Sequence, residues 1–224
     1  MLEGPYKLLT FDCYGTLIDW ASGIRAGLSS LLDEAGAQAT TDEIYEAYLP
    51  IEMELEKPPW RPYAEVLQQA VVQLGARFGF EVNEQNRHAL VDSLPSWAPF
   101  PDTNGALKRL KAKYRLAVLS NIDRDLFART SEHFDVEFDW VVTAEDVRAY
   151  KPALGHFERI VQLSGISPTE ILHTAQSLHH DIVPCTRLGR ACVWINRRGE
   201  ADVAGGTPPT QFPNLAALAD DLGA

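Results

Sequence analysis

The sequence predicts an α/β fold, a doubly wound parallel-sheet core with an inserted all-helical segment, divided as residues 1–18 and 99–224 for the core and 19–98 for the insert. Three observations predict it. Short apolar runs ending in turn formers recur along the chain, as buried parallel strands do. Helix-period stretches separate most of these runs, and strands that alternate with helices close into a parallel sheet covered on both faces. Between the first run and the second the alternation stops, and every pattern is helical.

The first strand is read in Lys7–Cys13 (KLLTFDC), stopped by Tyr14-Gly15-Thr16. In the insert, apolar residues recur at helix spacing over Ile24–Glu34, Thr41–Glu56, Tyr63–Phe78 and Asn83–Leu94. Thr41-Asp42-Glu43-Ile44 offers a helix start, and Pro58-Pro59 forces a break before the next helix. The Pro-rich stretch Leu94–Pro101 reads as the hinge back to the core. There, strands are read at Leu116–Ser120, Trp140–Thr143, Ile171–Ala175 and Ala191–Ile195, with helices over Gly105–Lys113, Arg124–His133 and Leu154–Gly165. In such sheets ligands bind at the carboxyl ends of the strands, where Asp12, Ser120 and the segment after Ala175 converge.

Composition narrows the partners. The 224 residues are 46% hydrophobic and 23% charged, ordinary values for a chain that buries a core. A net charge of −11 with scattered basic residues leaves no phosphate-backbone footprint, so nucleic acid is excluded as a partner. No apolar run has the length of a signal peptide or membrane span, so the chain reads as cytoplasmic and free of membrane. Cys13, Cys185 and Cys192 form no CxxC pair, which argues for reduced thiols rather than a disulfide framework or a zinc site. Of the two vicinal histidines, His179 and His180, only one can line a site, because neighbours on a helix face different ways. Trp20 and Trp60 are candidates for apolar walls, though aromatic residues more often pack a core.

Four separated segments carry the chemistry: FDCYGTLID (Phe11–Asp19), LSNID (Leu119–Asp123), YKP (Tyr150–Pro152) and HTAQSLHHD (His173–Asp181). A carboxylate at a strand end beside a flexible glycine projects freely and makes a covalent nucleophile if it is held ionised and in line. Asp12 has that place. Lys151 supplies the cation that would depress its pKa and aim it, with Pro152 read as the start of a helix. A lone aspartate or lysine in such places is more often a cap or a solvated surface group. The ordered set of four segments outweighs that.

In order and spacing these segments resemble the four motifs of the haloacid dehalogenase superfamily over nearly the whole chain, and DxYGT is similar to the first motif of type II 2-haloacid dehalogenases. The resemblance implies a helical cap over the core and cleavage of short 2-haloacids to 2-hydroxy acids through an aspartyl ester on Asp12. It implies that Asp12, Lys151, Asp181 and Thr16 are catalytic, with Asp181 directing the hydrolytic water. Tyr14, Ser120, Asn121 and Ser177 would meet the substrate carboxylate or the departing halide. No metal or other cofactor is implied. The expected partner is a small anionic substrate, and a homodimer is compatible with the sequence.

Two readings compete with this one. Phosphatases of the superfamily usually carry a second aspartate where Tyr14 stands and another carboxylate where Gln176 stands. A halide needs no proton on leaving, so Tyr14 suits carbon–halogen cleavage better than phosphoester cleavage. A magnesium-dependent phosphatase and a non-catalytic binding member remain the alternatives. The chain also departs from the dehalogenase pattern, with Phe157 for a tyrosine and Leu178 for an asparagine. Leu49 falls near the place of the cap arginine that receives the halide. Arg61 is the expected replacement and Arg25 the weaker one.

Overall fold

The computed structural model describes residue 2, residues 4–201 and residues 210–224 of the chain. Among them a single sheet runs β3-β2-β1-β4-β5-β6, all parallel. Its strands are β1 (Leu8–Phe11), β2 (Arg115–Ser120), β3 (Trp140–Thr143), β4 (Ile171–Ala175), β5 (Ala191–Ile195) and β6 (Gln211–Phe212). The central strands β1 and β4 are buried along their whole length.

Alternation along the strands explains the two-sided cover. Leu9 and Phe11 of β1 pack with Leu116 and Val118 of β2 on one face, while Leu8 packs with Ala117 and Leu119 on the other. Both faces are therefore apolar and both need helices. Burying one such side chain contributes about 1.5–3 kcal/mol.

β1 is the switch point of the sheet. Phe11 pairs with Val118 on one side and Thr174 on the other, so the chain reverses its direction of progress on either side of β1. A crevice opens at the carboxyl end of such a strand. Asp12 is the next residue.

Between β1 and β2 the chain is helical: α1 (Trp20–Ala35), α2 (Thr41–Leu55), α3 (Tyr63–Phe78) and the short α4 (Ala89–Ser93). α1 starts four residues before its expected beginning because Asp19 caps it, accepting from the Ser22 amide at 3.2 Å. Gly23 lets the ring of Trp97 lie against the helix, since a Cβ there would come within 2.3 Å of it. The helix expected over Asn83–Leu94 is broken into α4 flanked by 3-10 turns at Asn86–His88 and Leu94–Ser96. The Asn83 and Asn86 side chains bond local backbone N–H groups and so compete with the helical ladder.

The insert leaves and rejoins the core along paired strands of chain. Ile18 bridges Pro99, the Asp19 amide donates to Ala98 O at 2.9 Å, and the Phe100 amide donates to Leu17 O at 3.0 Å. The rest of the core holds α5 (Thr103–Lys111), α6 (Arg124–Ser131), α7 (Ala144–Val147), α8 (Gly155–Ser164), α9 (Val183–Arg187) and α10 (Leu215–Asp221). α7, α9, α10 and β6 have no counterpart in the sequence reading, being too short for periodicity to register. None of the described helices is long and apolar enough to cross a membrane.

Candidate active site

Asp12 follows β1 and is 7% exposed at the floor of a cavity of about 590 Å3. Its amide donates to Thr174 O at 3.0 Å, which fixes the backbone. Thr16 Oγ1 donates to Asp12 Oδ2 at 2.8 Å and accepts from the Gln176 amide at 2.9 Å. Lys151 Nζ donates to Asp12 Oδ1 at 2.9 Å. Both carboxylate oxygens are thereby held, each with lone-pair capacity left for the cavity.

Lys151 is 1% exposed and its ammonium is saturated. Its three protons meet three acceptors: Asp12 Oδ1 at 2.9 Å, Asp181 Oδ1 at 2.7 Å and Leu119 O at 2.9 Å. Pro152 does not start a helix, because α8 begins only at Gly155. What fixes Lys151 is Asn121, whose Oδ1 accepts from the Lys151 amide at 2.7 Å and whose Nδ2 donates to Lys151 O at 3.2 Å.

One ammonium thus serves two carboxylates, and they divide unequally. Burial raises the Asp12 carboxyl and outweighs the downward pull of Lys151, with Asp181 pushing it further up. The expectation that Lys151 leaves Asp12 depressed is corrected: the net direction is upward. Against the penalty of burial, Lys151 and a hydrogen bond from His173 hold Asp181 far below the usual carboxylate range. Burial opposes the Lys151 charge, but the two carboxylates push its pKa higher still. The two carboxyls therefore move in opposite directions, Asp12 up and Asp181 down.

The other expected residues divide by what their polar atoms already hold. Ser120 is fully buried and lines the cavity, and no partner among the described residues reaches its Oγ. Ser177 caps the turn Leu178–Ile182 by accepting from the His180 amide at 3.1 Å, and it also lines the cavity. Tyr14 borders the cavity with its ring, but its hydroxyl sits 2.7 Å from Thr130 Oγ1 in α6. Asn121 lines the cavity too, although its side-chain amide bonds Lys151.

Arg61 is outside the residues that line the cavity, so the expected halide arginine is corrected. Its guanidinium donates to Gln69 Oε1 at 3.0 Å along α3, and its carbonyl accepts from Tyr150 Oη at 2.9 Å. Arg25 pairs with Asp42 and covers the Tyr45 ring, again away from the cavity. Trp20 lines the cavity; Trp60 lies beneath the Arg148 guanidinium instead. His180 lines it and burial holds its pKa down to about 4, while His179 is exposed.

The cap wall carries two acids that the sequence reading passed over. Glu52 and Glu56, one turn apart on α2 and just past its end, both line the cavity. Glu52 Oε1 accepts from Tyr48 Oη at 2.8 Å and Tyr63 Oη at 2.6 Å. Burial first, then the neighbouring Glu52, carries the Glu56 carboxyl well above the usual range. Helix spacing was the available signal, since i and i+4 share a face. Arg197 is the second omission: it donates to Asp102 at 2.8 Å and to Thr16 O at 2.9 Å, and lies over Phe100.

The donor set does not fit magnesium. Such an ion needs near-octahedral oxygen ligation. Here Asp12 and Asp181 each give an oxygen to Lys151, and Gln176 stands where a third carboxylate would help. Among the described residues no group of three His, Cys, Asp or Glu side chains is arranged to hold a metal.

Fold and site together define an α/β protein with a carboxylate–lysine–carboxylate centre at the end of the first strand, beneath a helical insert. Residues 6–182 match the model of the haloacid dehalogenase-like hydrolase family, and the chain belongs to that family. It is similar to (S)-2-haloacid dehalogenase H-109 of Pseudomonas putida, 26% identical over 97% of this chain and 98% of that one. It is also similar to (S)-2-haloacid dehalogenase 4A of Burkholderia cepacia, 25% identical over 86% and 84% of the two chains. The fold matches the solved structure of L-2-haloacid dehalogenase from Xanthobacter autotrophicus with chloropropionic acid covalently bound. That match has a TM-score of 0.84 at 17% identity and covers 98% of this chain and 99% of the other.

Proposed function

We propose that the chain is a hydrolytic 2-haloacid dehalogenase that works through an ester on Asp12. The observation that carries the reading is the double clamp on Asp12, Lys151 Nζ at 2.9 Å and Thr16 Oγ1 at 2.8 Å, inside a cavity where Tyr14 offers no acid for a basic leaving group. Relatives of nearly the same length that are named 2-haloacid dehalogenases support it.

In the first half-reaction a carboxylate oxygen of Asp12 attacks the carbon bearing halogen. The new C–O bond forms as the carbon–halogen bond breaks, and the halide departs with the electron pair. Ser120 Oγ, with its donor uncommitted, is the neutral group for the substrate carboxylate, and Arg197 and Arg198 line the same cavity as cations. In the second half-reaction water adds to the Asp12 carbonyl carbon and gives its proton to Asp181. The acyl–oxygen bond then breaks, the departing alkoxide takes up that proton, and the 2-hydroxy acid leaves. Asp12 re-ionises by releasing one proton to solvent. No metal enters these steps.

The division into a core of residues 1–18 and 99–224 and a cap of 19–98 belongs to the same proposal, supported by the paired crossing at Ile18 and Pro99. A cytoplasmic location is supported by three free thiols. The test is a halide-release screen over short 2-haloacids, fluoroacetate included, beside a phosphoester panel, each with and without EDTA. Halide release in the presence of EDTA is the expected result. Magnesium-dependent phosphate release without halide release would overturn the reading in favour of the phosphatase. Tight ligand binding without any product would favour a binding member.

A further inference from the structure

His173 is a buried imidazole that the steps above leave unused. It lies in β4 and is 2% exposed. Its Nδ1 is 2.9 Å from Thr10 Oγ1 and its Nε2 is 3.0 Å from Asp181 Oδ1. An ionised carboxylate only accepts hydrogen bonds, so Nε2 carries a proton toward Asp181, while Nδ1 is bonded to the Thr10 hydroxyl. The Phe157 ring meets the imidazole edge-on at 5.1 Å and completes its seat.

The consequence falls on Asp181. Its Oδ1 receives Lys151 Nζ at 2.7 Å and His173 Nε2 at 3.0 Å, whereas its buried Oδ2 has no donor among the described residues. Asp181 also lines the cavity. One carboxylate oxygen is therefore held by two donors, and the other, Oδ2, is left for a reacting partner. Lys151 cannot hold this orientation alone through the cycle. Once Asp12 is an ester, one of its two negative partners is gone. The imidazole is the donor to Asp181 that does not also bond Asp12.

We infer that His173 is a positioning residue for ester breakdown, fixing Asp181 so that Oδ2 accepts the proton of the attacking water. The inference rests on the proposed aspartyl-ester mechanism. Asp181 faces Asp12 from the end of β1, Lys151 from the segment before α8, His156 from α8 itself, His180 from its own turn, and Cys185 and Cys192 from α9 and β5. Of these groups only Lys151 hydrogen-bonds its carboxylate, and His173 from β4 is the second donor. Loss of the His173 donor therefore raises the Asp181 pKa and moves the acid limb of ester breakdown to higher pH.

His173→Leu removes the donor and His173→Gln keeps an N–H near the place of Nε2. Rapid-quench mass spectrometry of the Asp12 peptide reads formation and breakdown of the ester separately. In His173→Leu, formation should stay within about threefold of the parent while breakdown slows by about thirtyfold, the order expected for one hydrogen bond to a charged group. The adduct should accumulate, and His173→Gln should recover most of the breakdown rate. Equal slowing of both steps, no change in either, or no advantage of Gln over Leu would overturn the inference. Thr10→Val, which removes only the hydrogen bond at Nδ1, should slow the same step to a lesser degree and keeps the test open if His173→Leu fails to fold. Titration of Asp181 by carbon-13 NMR is independent of any substrate: its pKa should rise in His173→Leu, and an unchanged value would overturn the inference even if no haloacid is turned over.

Discussion

Asp123, at the end of the β2 loop, accepts the backbone N–H of Tyr63 at 2.8 Å and that of Ala64 at 2.8 Å, so a core carboxylate caps the first turn of α3 in the insert. Pro62 at the N-cap position makes no side-chain cap of its own, and Asp123 takes that part from 60 residues away. These bonds join the helical insert to the loop after β2. Tyr150 Oη donates to Arg61 O at 2.9 Å beside it, a second tie between cap and core.

Asp123→Ala should therefore both destabilise and loosen the protein. Losing a helix cap costs about 1–2 kcal/mol, which lowers Tm by about 2–4 °C for each kcal/mol in a chain of this size. KM should rise more than kcat falls, because closure over the substrate weakens. Distance labels on α3 and α8 should show a broader distribution in the variant. An unchanged distribution would mean that the cap is held elsewhere.

The covalent role of Asp12 is tested by a single turnover in heavy-oxygen water. Hydrolysis at the aspartyl carbonyl leaves label on Asp12 and an unlabelled hydroxyl on the product, and direct attack by water does the reverse. Asp181→Asn should let the adduct accumulate. Lys151→Ala should slow ester formation, and it also strands two buried carboxylates, a change of about 3–5 kcal/mol that calls for a folding control.

Halide release should survive exhaustive chelation. Two carboxylates on one ammonium and an amide at Gln176 make a poor magnesium site. Loss of halide release with EDTA and its return with magnesium would contradict this.

Glu56 should impose an alkaline limb on substrate binding. Burial and Glu52 hold its carboxyl well above the usual range, so it stays neutral at pH values where an ordinary glutamate is ionised. As pH rises through that raised pKa, a negative charge appears on a cavity wall that must admit an anion. The affinity for haloacid should fall accordingly, and Glu56→Gln should flatten the limb. A pH profile of kcat/KM identical in parent and variant would remove Glu56 from the account.

Arg61→Ala should leave turnover within about twofold of the parent, the small effect typical of surface changes away from a site. Its guanidinium is occupied by Gln69 and lies outside the cavity. A large fall in turnover, measured by halide release, would restore Arg61 as the halide acceptor.

The sequence by itself determined the alternation of strands and helices, the helical insert after the first strand, and Asp12, Lys151 and Asp181 as the centre of the site. Each of these is written locally, in a run of apolar residues or in a short motif at the end of a strand. Tertiary structure decided how the hydrogen-bonding capacity of those groups is spent. Asn121 looked free for substrate until the fold set it against the Lys151 backbone, and Arg61 looked like a halide acceptor until α3 offered it Gln69. His173 and Asp181 are eight residues apart, and only the turn after β4 brings their polar atoms to 3.0 Å. Glu52 and Glu56 carry no motif of their own, and packing of the insert over the sheet made them a cavity wall. Periodicity and motif spacing say which face a side chain occupies. They carry no information on which distant donor or acceptor packing will bring against it, and that partner sets the charge and the role.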